Sequence, residues 1–334
     1  MKWLFVILII GAIVYTFRDT AGPILEQLKE TTPSVLAGIC VMSGIYCLVE
    51  ALITTVLAKQ YNPDFRYQWG IENMFFCSFY RVATLGSGSG VAAIIYLGEH
   101  GIEYGGGFGL YMIQYALHKI SIALFSAIFF VMNWEFMRNW FGDYAGLLAA
   151  GYALTLVITL GLFLFCCSNR FHHLICRLLD FANQKFHGKF EIMAEEIKRQ
   201  CMMLEDASNH LMKNKKVTTE VIFLCLLKCC FWYGIPYLLF KGVQFQGNPA
   251  LSLSQVLAIT SLSVMLAAVI PSPAGIGSTE FVFTTLFAGI VGTGIAGSAS
   301  LLYRFGTFVF PFLVGAVVVL VRHFKRKKLS SGSI

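Results

Sequence analysis

Long apolar segments dominate the chain, and they predict helices that cross a membrane. Polar residues separate these segments but are rare within them, so each segment can bury its whole length in hydrocarbon. The segments cover residues 3–17, 33–58, 104–132, 144–167, 217–240 and 299–321. The first resembles a signal peptide but lacks a small-residue cleavage pattern, so we interpret it as an uncleaved first helix. The pattern therefore predicts about six long transmembrane helices.

Two further apolar regions are broken in the middle. Residues 70–97 are cut by Gly-Ser-Gly-Ser-Gly at 86–90, and residues 251–292 are cut by Pro-Ser-Pro-Ala-Gly-Ile-Gly at 271–277. Proline and clustered glycine interrupt helices, and backbone freed at membrane depth must line protein or a wet cavity. Each region is expected to form either two full spans or a re-entrant pair, which enters and leaves on the same side.

Composition excludes whole classes of protein. Apolar residues make up 57 % of the 334 residues, charged residues only 13 %, and the mean hydropathy is +0.70. Soluble domains are about 25 % charged, so a soluble enzyme, a disordered chain and a nucleic-acid binder are excluded. The ten cysteines lie mostly in apolar runs and predict no disulfide framework. His172, His173 and Cys176 lack a second ligand pair, so no metal is expected.

The positive charges predict the orientation. Residues 168–216 are polar, with nine Lys or Arg against six Asp or Glu, and their apolar residues recur at helical spacing. We expect amphipathic helices there, forming a basic cytoplasmic loop. The basic tail, residues 322–334, is expected to be cytoplasmic for the same reason. Localisation in the cell membrane as a multi-pass protein follows.

If the basic loop and the basic tail are both cytoplasmic, counting the membrane crossings predicts an inverted repeat. Each half consists of a span, a broken pair and a span, and the two halves have opposite orientations, which is typical of transporters. The fold class is thus an all-α integral membrane protein with two broken re-entrant helix pairs. We expect a single transmembrane domain, 1–334, with these parts: first helix and outer loop 1–32, first repeat 33–132, linking helix 144–167, basic loop 168–216, second repeat 217–321 and tail 322–334.

The second break carries the strongest candidate chemistry. Gly275 and Gly277 let backbone amides approach a ligand, and a helix starting near Ser278 would point its positive end at the gap. An anionic lipid headgroup suits that site. Glu280 and Arg304 lie at membrane depth, where charges are expensive and normally paired. We expect them to pair or to share a headgroup.

The first break offers a second cation. Arg81 directly precedes the glycine cluster, and a cation beside free amide groups suits a phosphate. An interfacial arginine that reaches toward water is the alternative. The remaining candidate charges at membrane depth are Glu50, Glu72, His118, Lys119 and Lys228. They could serve as counter-ions for one another, but the sequence does not pair them.

The C-terminal third resembles a known family. Its motif residues are Pro271, Pro273, Gly275, Gly277, Glu280, Tyr303, Arg304, Pro311 and Gly315. Together they resemble the signature of the lysylphosphatidylglycerol synthase/flippase transmembrane family, and the layout of broken segments and basic loop is similar over nearly the whole chain. The resemblance implies a lipid flippase. Some members also carry an aminoacyl-transferase domain, which is not expected here because the chain stops at Ile334.

One departure concerns the first break. The family usually places proline before the glycines, whereas this chain has Thr84-Leu85-Gly86.

The expected function is translocation of a phospholipid, such as an aminoacylated phosphatidylglycerol, or of a lipid-linked headgroup. The alternatives are a lipid-modifying transferase and a subunit that presents lipid to a separate synthetase. No cofactor and no nucleic acid are expected, and the partners are membrane phospholipid and either such a synthetase or a second copy.

These considerations yield one set of expected site residues. Glycines would allow close approach of the backbone, arginines would contact phosphate, and Glu280 would meet a cationic group or balance Arg304. The expected headgroup-binding residues are Arg81, Gly86, Gly88, Gly90, Pro271, Ser272, Pro273, Gly275, Gly277, Glu280, Tyr303 and Arg304. No residue is expected to be catalytic.

Overall fold

Helices form the regular structure of this protein throughout its described part. A computed structural model describes residues 26, 29–185, 191–211, 213–241, 250–270, 272 and 275–331, and no strand occurs among them. Within these residues, five helices are long and apolar enough to cross a membrane. The predicted all-α membrane fold is therefore confirmed. The predicted first span, residues 3–17, lies outside the described residues.

The first half contains two long helices around a broken pair. Its helices are α1 (Pro33–Ala58), α2 (Tyr67–Ala83), α3 (Ser89–Gly98) and α4 (Tyr104–Met132). At ~1.5 Å per residue, α1 and α4 reach about 39 Å and 44 Å, enough for a hydrocarbon core of about 30 Å. Neither α2 nor α3 alone reaches that length. Helix α2 packs against α3 in a hairpin, so the predicted interruption is present.

The first break is a tight turn between α2 and α3. Leu85 and Gly86 both adopt positive φ, +53° and +105°, which ends α2 because right-handed helices require negative φ. The Thr84 hydroxyl donates to the Tyr80 carbonyl at 2.6 Å and accepts from the Gly88 N–H at 2.6 Å. These bonds satisfy polar groups that the interrupted helix would leave free.

The middle of the chain forms a peripheral span and two amphipathic helices. After α5 (Trp134–Phe141) and a short turn come α6 (Ala145–Cys167), α7 (Asn169–Lys185) and α8 (Glu191–Leu211). Helix α8 buries Cys201, Leu204 and Leu211 and packs on α4. Lys198 of α8 donates a hydrogen bond to the Asp180 carboxylate of α7, which raises the pKa of that lysine. The basic loop therefore docks on the bundle.

The second half repeats the order of the first. Its elements are α9 (Lys215–Gly234), α10 (Tyr237–Phe240), α11 (Leu253–Ala267), α12 (Ser278–Val291), α13 (Thr293–Arg304), a π-helical segment (Phe305–Val309) and α14 (Phe310–Ser331). Ser252 starts α11 with a capping box, in which its hydroxyl accepts from the Gln255 N–H at 3.3 Å. Helices α11 and α12 pack together, and the predicted second break lies between them.

Helix contacts between the halves are reciprocal. Helix α1 packs against α9, so the leading spans of the two halves meet. Helix α2 of the first broken pair packs on α14, the last span of the second half. In the same way α11 packs on α4, the last span of the first half, and α3 contacts α4 as α12 contacts α13. Each broken pair is thereby packed against the last span of the other half.

Candidate functional site

A central cavity of about 580 Å³ lies where the two broken pairs approach each other. Gly86 and Ser89 line it from the first break, and Ser272, Gly275 and Ser278 line it from the second. Helices α1, α2, α4, α9 and α11 supply most of the remaining wall. The volume is typical of sites that bind small molecules. The structure thus brings the two sequence motifs to one space.

The cavity wall carries an excess of positive charge. Arg81, at the end of α2, and Lys119, in α4, both line it. Neither forms an ion pair with any residue of the described ranges. The Lys119 ammonium instead lies 5.4 Å from the centre of the Tyr115 ring. Two uncompensated cations make this space suitable for an anion.

A hydrogen-bonded ion pair crosses one wall of the cavity. Lys228 is fully buried and donates to one carboxylate oxygen of Glu50, whose side chain is 18 % exposed to the cavity. The other Glu50 oxygen accepts from the Gln114 amide at 2.9 Å. Gln114 also exchanges hydrogen bonds with Thr54 at 3.0 and 3.2 Å. The network joins α1, α4 and α9 and leaves this wall close to neutral.

Sequence reasoning named Glu50 and Lys228 but did not pair them, and it missed Gln114. An amide in the middle of an apolar span was the available signal, since such groups need a partner in hydrocarbon. His118 also lines the cavity and stacks on Trp232, with ring centroids 6.0 Å apart. Its Nδ1 is buried and has no hydrogen-bond partner in the described part of the protein.

The glycines of the first break have different surroundings. Gly86 has positive φ and faces the cavity. A Cβ at Gly88 would lie 2.6 Å from the Thr84 hydroxyl oxygen, and one at Gly90 would lie 2.9 Å from the Tyr111 ring. Gly88 and Gly90 therefore permit close packing within the turn and against α4. A direct headgroup contact at these two glycines stays a prediction.

Glu280 and Arg304 form an ion pair beside the second break. Their Oε1 and Nε atoms are 3.0 Å apart. The other Glu280 oxygen accepts from the Gly277 N–H at 2.9 Å, which caps the start of α12. The Arg304 guanidinium lies over the Phe308 ring at 4.2 Å. The pairing expected from the sequence is present, and it joins the first turn of α12 to the end of α13.

Other expected residues lie beside the cavity or beyond the described ranges. Tyr303 is buried and stacks on Phe283, with centroids 5.5 Å apart. Within the described part of the chain, the cavity lining includes none of Glu280, Tyr303 and Arg304, so their contact with a headgroup stays a prediction. Pro271 and Pro273 lie outside the described residues.

Glu72 belongs to a separate cluster. Its carboxylate lies 3.5 Å from Arg322 and accepts from the Tyr96 hydroxyl at 3.0 Å. Arg322 also contacts Glu99 at 2.5 Å and lies over the Tyr96 ring at 4.3 Å. Sequence reasoning treated Arg322 only as part of the basic tail. Its position directly after the last apolar run was the signal that it could pair inside the fold.

Comparison with known proteins supports the membrane assignment. Residues 3–315 match the family described as the lysylphosphatidylglycerol synthase TM region. The match covers nearly the whole chain, including both breaks, the central cavity and the basic loop. No curated protein matches the chain significantly. The chain therefore belongs to the lysylphosphatidylglycerol synthase TM-region family, as a multi-pass membrane protein with a lipid-related function.

Proposed function

We propose that this protein moves a phospholipid between the two leaflets, with the headgroup passing through the central cavity. The observation that carries the proposal is a pair of cations in a cavity bounded by both helix breaks, Arg81 and Lys119, neither of which has an ion-pair partner among the described residues. A headgroup phosphate crossing the membrane loses its hydration, and buried opposite charge offsets that loss. Arginine also matches phosphate geometry through its planar set of N–H donors.

The two helix breaks also supply polar backbone and hydroxyl groups that a moving headgroup can contact. At Gly86 and Gly275 the helices are interrupted and the backbone reaches the cavity wall. Ser89, Ser272 and Ser278 add hydroxyl groups on the same wall. Polar backbone at membrane depth is tolerated where it lines a wet cavity. The wall therefore offers replacements for water along the headgroup path.

The reciprocal helix contacts support an inverted repeat. In such transporters the site lies between the discontinuous helices, and the two halves rock around it. Here each broken pair packs on the last span of the other half. We propose that the basic loop 168–216 and the C-terminus are cytoplasmic, from the excess of lysine and arginine. Single cysteines placed at 101 and 248 should then react with impermeant reagent from opposite sides.

Transport can be measured with purified protein in liposomes. The probe is a phosphatidylglycerol with a fluorescent group on one acyl chain, and dithionite added outside quenches the exposed leaflet. Protein should make the inner-leaflet probe accessible, and the Arg81→Gln/Lys119→Gln double variant should slow this at least tenfold. Arg66→Gln serves as the control, because Arg66 is an exposed arginine away from the cavity.

Other outcomes would favour the other functions. A folded double variant that moves the probe at the wild-type rate would contradict the role of the two cations. Chemical modification of the lipid without movement would indicate a transferase. Movement that requires an added synthetase would indicate a subunit that presents lipid to that enzyme.

A further inference from the structure

A second cavity, of about 640 Å³, runs along the outside of the first broken pair. We call it the α3 groove, because Val91, Ala92 and Ile95 of α3 line it, together with Gly88 and Glu99 directly before and after this helix. Phe76 and Tyr80 of α2 and Val319 and Arg322 of α14 form its other side. The stretch from Gly88 to Glu99 extends about 16 Å at ~1.5 Å per residue. That length is close to half of the ~30 Å hydrocarbon core, the depth of one leaflet.

Only one turn of chain separates the α3 groove from the central cavity. Gly86 and Ser89 face the central cavity, whereas Thr84, Ser87 and Gly88 face the groove. The same holds at the end of α2, where Arg81 faces inward and Tyr80 faces the groove. The 84–88 turn is therefore a thin partition between a cationic space and an apolar one.

The chemistry of the groove suits hydrocarbon. Val91 and Ile95 are 61 % and 54 % exposed on its open side, and Phe76, Ala92 and Val319 continue the apolar surface. The arginine at its far end is already neutralised, since Arg322 pairs with Glu72 and Glu99. A water-soluble ligand would find few polar contacts along the middle of this groove.

We propose that the α3 groove holds an acyl chain of the lipid whose headgroup occupies the central cavity. The two spaces meet at the 84–88 turn, as a headgroup and its chain meet at the glycerol. The substrate class is then a long-chain phospholipid, and a water-soluble phosphate ester would occupy the central cavity alone. This inference rests on the proposed function.

One substitution in the groove tests the proposal. Val91→Trp fills the open side of the groove, and Val41→Trp is its control, because Val41 is a 60 % exposed valine of α1 outside the groove. In the liposome assay, Val91→Trp should slow movement of the long-chain probe at least fivefold, and Val41→Trp should not. Binding of glycerol 3-phosphate to the purified protein, measured by calorimetry, should be unchanged in both variants.

The failures of the two proposals are distinguishable. If Val91→Trp moves the probe at the wild-type rate, the proposed acyl-chain groove is wrong, and the proposed flippase function still stands. A wild-type protein that neither binds glycerol 3-phosphate nor moves the probe overturns the flippase itself.

A second measurement does not depend on how Val91→Trp folds. The wild-type protein is photolabelled with a phosphatidylglycerol that carries a diazirine near the end of one acyl chain. Label in the peptide containing Val91 and Ile95 should exceed that around Val41, and Arg81→Gln/Lys119→Gln should reduce the excess at least threefold. The groove proposal is wrong if both peptides are labelled equally, or if the excess of label near Val91 is the same in the double variant. Either result would mean that only surrounding membrane lipid contacts α3.

Discussion

The fully buried Lys228 ammonium pairs with the Glu50 carboxylate and so joins α9 to α1, the leading spans of the two halves. A charge at this depth is unfavourable alone, so each member of the pair offsets the other, and the Gln114 amide also donates to Glu50. Because Glu50 also reaches the cavity wall, stability and the electrostatics of the site depend on the same contact.

Removing only the lysine should destabilise the fold. Lys228→Met leaves a carboxylate without its counter-ion, and breaking a buried pair typically costs about 3–5 kcal/mol. We expect the free energy of unfolding to fall by roughly 3 kcal/mol. This value is at the lower end of that range because the Glu50 side chain is 18 % exposed and stays partly hydrated. Unfolding by SDS in mixed micelles measures it.

The matched control removes both charges together. Glu50→Gln/Lys228→Met should recover most of the loss, because no unpaired charge remains and glutamine still accepts from Gln114. Equal losses in the single and double variants would show that the lysine stabilises the fold by packing and not through its charge.

Gly88 should tolerate no side chain. In Gly88→Ala the new Cβ would meet Thr84 atoms at 2.6 and 2.7 Å, and overpacking of this kind costs about 1–3 kcal/mol. The melting temperature in detergent should fall. Gly98→Ala, at the other end of α3, is the control, because a Cβ there would meet no atom within 4 Å.

The clash itself can be relieved. Gly88→Ala combined with Thr84→Ala should recover part of the lost stability, since the threonine side chain supplies the atoms in conflict. A double variant no more stable than Gly88→Ala would mean that backbone geometry, and not crowding, demands this glycine.

Apolar runs predicted the spans at 33–58, 104–132 and 217–240 to within a few residues, because these segments are long and apolar enough to cross a membrane. The last span begins six residues before the predicted 299, and the predicted span 3–17 lies outside the described residues. The breaks at 86–90 and 271–277 were equally predictable from glycine and proline. The ion pair between Glu50 and Lys228 was not predictable, because the two residues are 178 positions apart in the sequence. Only the packing of α1 on α9 brings those two charges together.

The site was predictable in part for a related reason. Gly86 and Gly275 sit in visible motifs, and both reach the cavity. Gln114 and Arg322 carry no motif, and their partners lie on other helices. A sequence pattern reveals which residues are expensive at membrane depth, whereas the helix packing decides which of them face a cavity and which neutralise one another.

The ion pair between Glu280 and Arg304 should act on stability and not on headgroup affinity. Glu280→Gln removes the charge that balances Arg304 and weakens the cap on Gly277, so the free energy of unfolding should fall by roughly 3 kcal/mol. Glu280→Gln/Arg304→Gln should recover most of it. Calorimetry of the folded double variant should find unchanged affinity for glycerol 3-phosphate, because neither side chain lines the central cavity. A tenfold weaker affinity would instead support the headgroup contact predicted from the sequence.

Arg322 should hold the first broken pair against the last span. It contacts Glu72 of α2 and Glu99 at the end of α3, at 3.5 and 2.5 Å. Arg322→Gln removes both ion pairs between the last helix and the first broken pair, so α3 should open more readily. Hydrogen exchange read by mass spectrometry should become faster in the peptide covering Ser89–Gly98. Lys325→Gln is the control, because Lys325 is an exposed cation of the same helix. Unchanged exchange in Arg322→Gln would show that apolar packing of α2 on α14 alone holds the pair.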